Sequence, residues 1–291
     1  MTGSSAIVLP DTLVSTEWLA ANLGAEGLRV FDCTCFLVPD PKTTLRAESG
    51  RSAYQQAHIP GAGFLDLTGD LSDPDSPFRF TMPSPEVLAE RFGAHGIGDG
   101  HAVVLYAADN PNWATRMWWM LRVAGFDQAA VLDGGLRKWR AEGRPVETGT
   151  ATLPPAVMTP HPRPELVVGR EGVLEAMKSG ACVVNALSAE QHRGEGMHYG
   201  RPGRIAGSSN VPSGGLIDPE TGAFKPRAEI EAAMRAAGAM NAERVVPYCG
   251  GGIAASITTF WLTRLGKQDV ALYDNSLGEW VTDPTLPMET G

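Results

Sequence analysis

Four landmarks occur twice in this chain, in the same order, and that duplication constrains the fold more than any other feature. HIPGAGFLD from His58 is matched by RIAGSSNVP from Arg204, and AVVLY ending at Tyr106 is matched by RVVPY ending at Tyr248. A helix-length apolar segment closes at Gly125 and again at Gly266. VLDGGLRKW, with Asp133 six residues before Trp139, is matched by LYDNSLGEW, with Asp274 six before Trp280. The offsets drift only from 146 through 142 to 141. Co-linear matches with so steady an offset mean two homologous domains, placed at 10–147 and 165–288. The length of 291 residues agrees, since one domain usually takes about 100–200. Between them, 148–164 carries Pro154, Pro155, Pro160, Pro162 and Pro164, which forbid helix and predict an extended linker.

Each repeat alternates short β-branched runs with helical patterns. LRVFD, AVVLY and AAVLD in the first repeat, and ACVVN, RVVPY and VALYD in the second, read as strands. PEVLAERFGAHG and AEIEAAMRAAG read as helices. Alternation of this kind predicts an α/β fold in each repeat, a mostly parallel sheet flanked by helices. Ligands of such sheets sit at the carboxyl ends of the strands, which points to the segments after Tyr106 and Tyr248.

There the repeats diverge. After Tyr248 the chain reads CGGGIAASITTFWLTRLG, a strand end, a tight glycine loop and a helix from about Ile253 to Leu265. Cys249 therefore stands before the free N–H groups of a helix start. Gly250, Gly251 and Gly252 let the backbone curl with φ > 0, so that with Ile253 and Ala254 the loop forms an anion cradle that stabilises a thiolate. A cysteine that merely fills space does not call for three glycines after it. Aligned by the strand, Cys249 falls opposite Ala107; aligned by the helix, opposite Ala108. The first repeat has no thiol there.

HIPGA at 58–62, LDGGLRKW, YDNSLGEW and one cysteine opening the six-residue loop Cys249–Ala254 together resemble the tandem-domain rhodanese family of thiosulfate and 3-mercaptopyruvate sulfurtransferases. The resemblance spans nearly the whole chain. It implies two rhodanese-like domains, the second bearing the active-site loop at the bottom of a cleft between them. It also implies ping-pong chemistry, in which the Cys249 thiolate takes sulfur from a small donor as a persulfide. Cyanide, a small thiol or a thioredoxin-like protein then accepts it.

Family members preferring thiosulfate resemble CRKGVT in this loop, whose cations meet a dianion; those preferring mercaptopyruvate resemble CGSGVT or CGAGVT. CGGGIA, with no cation, is closer to the second type, and mercaptopyruvate is the expected donor. The serine of the triad proposed in some members falls at Gly251, and its acidic and histidine partners fall at Thr68 and Phe80. Gln191 occupies the place of a substrate-binding arginine. A carboxylate clamp is therefore expected from Arg193, Arg201, Arg204 or Arg116, because a guanidinium fork matches a carboxylate.

Asp133 and Asp274 are read as caps of helices beginning at Gly135 and Ser276, with Trp139 and Trp280 as their core anchors. Cys33 and Cys35 are open to a role as a second thiol facing the cleft, but CxC without further ligands makes no metal site. The six histidines, His58, His95, His101, His161, His192 and His198, form no metal pattern, and His58 reads as structural. Neither a metal nor a cofactor is called for.

Charge and length exclude other classes. With 24 basic against 33 acidic residues and no Lys/Arg run, nucleic acid is not an expected partner. No stretch reaches about 18 uninterrupted apolar residues, and MTGSSAIVLP lacks a basic n-region and apolar h-region, so a cytoplasmic protein without membrane association is expected. Four cysteines in so long a chain fit a reducing compartment. A cysteine-dependent phosphatase needs CxxxxxR, and position 255 is Ala255. The remaining alternative is a persulfide carrier or docking module without turnover.

Overall fold

The computed structural model describes residues 7–41, 44–196 and 199–291. The chain forms two compact units. The first comprises residues up to Ser72, Pro83–Arg163 and Pro219–Ala223; the second comprises Asp73–Met82, Pro164–Asp218 and Phe224–Gly291. Each unit thus takes in a short stretch that lies, by sequence, within the range expected for the other: 73–82 in one case, 219–223 in the other.

In the first unit, strands β1 (Leu13–Val14), β2 (Leu28–Asp32), β5 (Gly63–Phe64), β6 (Ala102–Tyr106) and β7 (Ala129–Leu132) make a parallel sheet in the order β1-β7-β6-β2-β5. Strands β3 (Cys35–Asp40) and β4 (Thr44–Ser49) pair antiparallel beside it. All five residues of β6 are buried, as expected of a parallel strand covered on both faces. The covering helices are α1 (Thr16–Asn22), α2 (Arg51–Gln56), α3 (Pro85–Ala94), α4 (Asn112–Val123) and α5 (Gly135–Ala141). The proline-rich stretch is extended but docked rather than loose. Its amides at Ala156, His161 and Arg163 donate to the carbonyls of Gly93, Ala124 and Val123.

The second unit repeats the plan with β8 (Val167–Val168), β9 (Cys182–Asn185), β10 (Arg204–Ile205), β11 (Ser209–Asn210), β12 (Arg244–Tyr248), β13 (Asp269–Val270), β14 (Leu272–Tyr273) and β15 (Met288–Glu289). A parallel sheet in the order β11-β9-β12-β13 is flanked by α6 (Arg170–Ser179), α7 (Ala189–Arg193), α8 (Arg227–Ala236), α9 (Ala254–Arg264) and α10 (Ser276–Trp280). Val183, Val184, Val245 and Val246 fill its centre, each buried valine stabilising by about 1.5–3 kcal/mol. Among the described residues no helix is long and apolar enough to cross a membrane.

The repeated landmarks coincide with repeated contacts. The Tyr106 hydroxyl accepts the Ile59 amide at 3.1 Å, and the Tyr248 hydroxyl accepts the Ile205 amide at 3.0 Å. Trp139 and Trp280 are both fully buried, and their indole N–H groups donate to the Pro145 and Pro287 carbonyls. The aspartates do not occupy the N-cap positions. The N-caps are Gly134, at φ +82°, and Asn275, and neither residue caps its helix through a side chain. Asp274 instead accepts the backbone amide of Met82 at 2.7 Å.

Candidate active site

Strand β12 ends at Tyr248 and delivers Cys249, 2% exposed, to the start of a loop that enters α9 through Ile253. One side chain organises that loop. Ser276 Oγ accepts the Cys249 amide at 3.0 Å and the Gly252 amide at 3.2 Å, and donates to the Tyr273 carbonyl at 2.7 Å. The carbonyls of Cys249 and Gly250 accept the amides of Leu277 and Gly278. In the first unit Ala107 and Ala108 receive the same bonds from Leu136 and Arg137, which makes Ala107 the counterpart of Cys249. With its carbonyls turned outward onto α10, the loop leaves the N–H groups of Gly250, Gly251, Ile253 and Ala254 without an acceptor among the described residues. Such unpaired donors at a helix start favour an anion.

The three glycines have three different reasons. Only Gly252 has a positive φ, +73°, so the expectation that all three curl the chain is corrected. Gly250 is glycine because the Tyr199 phenol occupies the space a Cβ would need. At Gly251 there is room, the nearest atom to a Cβ being the Arg79 carbonyl oxygen at 3.6 Å. The Tyr199 hydroxyl is pushed up to about 12, by desolvation first and then by charge on Cys249, while Arg79 pulls the other way. Arg79 and Tyr199 thus border the loop, and neither is signalled by the sequence.

The stretch 73–82 that carries Arg79 is fixed by the residues just before Ser276. Thr81 Oγ1 donates to Asn275 Oδ1 at 2.8 Å, and Asp274 holds Met82. Asp274, Asn275 and Ser276 therefore tie the Arg79 stretch and the cysteine loop to one frame.

The model of the rhodanese-like domain matches this chain twice, at residues 15–142 and 175–283. The chain belongs to the rhodanese-like family. It is 32% identical to thiosulfate/3-mercaptopyruvate sulfurtransferase 2 of Arabidopsis thaliana, over 96% of this chain and 86% of the relative. Human 3-mercaptopyruvate sulfurtransferase is 31% identical over 92% and 91%. Among solved structures, the 3-mercaptopyruvate sulfotransferase SseA of Escherichia coli superposes with a TM-score of 0.76 at 29% identity, covering 92% of this chain and 99% of SseA.

In this rhodanese-like chain the arginines expected to clamp a donor are otherwise engaged. Arg193 pairs with Glu195 at 3.0 Å and Glu190 at 3.9 Å. Arg201 donates to the carbonyls of Asp283 and Leu286, and Arg204 binds Glu289 and the carbonyls of His192 and Gly291. Arg201 and Arg204 thus tie down residues 283–291. Arg116 is 0% exposed within α4 of the first unit, which closes it to a donor. Thr68 hydrogen-bonds Asp66, and Phe80 is buried at φ +66°. Cys33 is fully buried and its thiol is raised by burial and then by Asp32, which opposes a role as a second thiol. Cys35 is buried to the same degree as Cys249, so burial does not decide its role. His58 is structural, buried with its ring stacked on Tyr54; His198 lies outside the described residues. Among the described residues no cluster suits a metal ion.

Proposed function

We propose that this protein is a sulfurtransferase that carries sulfane sulfur on Cys249 from a small anionic donor to a nucleophilic acceptor. The supporting observation is the loop, a thiol followed by N–H groups at 250, 251, 253 and 254 that have no acceptor among the described residues, in a chain that aligns almost end to end with sulfurtransferases. With thiosulfate, the Cys249 thiolate attacks the outer sulfur, the S–S bond breaks, and sulfite leaves with the electron pair. With 3-mercaptopyruvate, it attacks the thiol sulfur and the C–S bond breaks. The departing enolate carbon takes the proton released by that thiol and leaves as pyruvate. Cys249 is then a persulfide. Cyanide, a small thiol or a thioredoxin-like protein attacks the terminal sulfur, and the S–S electrons return to Cys249 as thiolate. With cyanide the product is thiocyanate. Loop N–H groups stabilise charge on sulfur at each stage without reorganising.

The loop's own composition favours mercaptopyruvate, whose single carboxylate lies several atoms from the sulfur, over a compact dianion that is costly to desolvate against amides alone. We place the reaction in the cytoplasm, where four free cysteines stay reduced. Thiocyanate formation with each donor tests the reading. The unaltered protein should turn over mercaptopyruvate with the higher kcat/KM, and Cys249→Ser should form no thiocyanate with an unchanged circular dichroism spectrum. Turnover by the serine variant would overturn it.

A further inference from the structure

We propose that Arg79 receives the negative charge of the sulfur donor at the mouth of the cysteine loop, beside the Tyr199 phenol. This rests on the sulfurtransferase reading and assigns the donor's charged end to a residue outside the loop.

Three observations converge. Arg79 belongs to the stretch Asp73–Met82, which packs in the same unit as Cys249 although its sequence neighbours on either side do not. Its carbonyl stands over Gly251 and the Tyr199 phenol stands over Gly250, so the two residues border the first two positions after the cysteine. Charge on Arg79 and on Cys249 both act on that same phenol, which places all three groups in one locality.

The stretch is also held in place at a cost. Phe80, next to Arg79, has φ +66°, a conformation unfavourable for a bulky residue that persists only where the surroundings impose it. Here Thr81 and Met82 are anchored to Asn275 and Asp274, and the Asp73 amide donates to the Thr81 carbonyl at 2.8 Å. The guanidinium leans along the Phe80 ring, 5.9 Å from its centre. A fork-shaped cation beside an amide cradle supplies what CGGGIA lacks, because the carboxylate of mercaptopyruvate or the sulfonate end of thiosulfate needs a fixed positive partner when desolvated.

The test uses two alkylating probes of similar size that differ in charge, iodoacetate and iodoacetamide, reacting with Cys249 in the full chain. Arg79→Gln should lower the iodoacetate rate relative to the iodoacetamide rate roughly tenfold, about what one charge-assisted hydrogen bond supplies. It should raise KM for both anionic donors by a similar factor with kcat little changed, and Arg79→Lys should recover much of both effects. An unchanged probe ratio, or equal loss with both probes, would overturn the proposal and leave the stretch a structural support. Should the unaltered protein take no sulfur from either donor, the sulfurtransferase reading fails, and the probe ratio still decides whether Arg79 draws anions to Cys249.

Discussion

Ser276 Oγ accepts the amide hydrogen of Cys249 at 3.0 Å, from a residue whose own φ is +52°. The first unit has Gly135 at the corresponding place, with φ +54°. A side chain there is strained by about 1–2 kcal/mol, yet in the unit that carries the thiol a serine stands in it and ties the loop at two amides.

Replacing Ser276 therefore separates strain from tethering. Ser276→Ala keeps the strain and strands two buried N–H groups, costing about 1–3 kcal/mol. Ser276→Gly loses the same bonds but relaxes the backbone, so it should be the more stable of the two in urea titrations. Sulfur transfer should fall in both alike, because the loop loses the same tether. Full activity in Ser276→Gly would show that the hydroxyl does not hold the loop.

The glycines give a ranked series. Gly251→Ala meets only ordinary contact and should stay within about 0.5 kcal/mol of the parent. Gly252→Ala must hold φ +73° and should lose about 1–2 kcal/mol. Gly250→Ala displaces Tyr199 and should impair turnover more than stability, an effect smaller when Tyr199→Ala is already present. Additive losses in that pair would contradict the placement of the phenol.

Much of this was legible in the sequence, because the landmarks are residues that bind one another. Tyr106 with Ile59 and Tyr248 with Ile205 are two copies of one contact, so the duplication showed on both sides of it. The strand, glycine loop and helix around Cys249 were legible because they are local. What escaped depends on distant chain. Arg79 reaches the loop through an excursion with no periodicity of its own, and Arg201 and Arg204 are drawn away by carbonyls some 80 or more residues later in the sequence. The aspartate caps failed because a left-handed glycine and an asparagine took the capping positions, freeing Asp274 for Met82.

His192 sets a pH limit. Burial, and then the charge of Arg204, hold its imidazole down at about 4, below the usual 6.5. The unfolded chain thus binds a proton first on acidification, so this stability is present above about pH 6.5 and lost as pH falls toward 4. His192→Gln should flatten that part of the acid limb of the stability curve. An unchanged slope between those values would mean the imidazole is not so placed.

The most direct test of the central claim is the intact mass of the protein after exposure to mercaptopyruvate or thiosulfate, with peptide mapping of the modified site. The expected result is a gain of one sulfur atom, located on Cys249 and removed by cyanide with release of thiocyanate. A protein that gains no sulfur, or that carries it on Cys33, Cys35 or Cys182, would contradict the account.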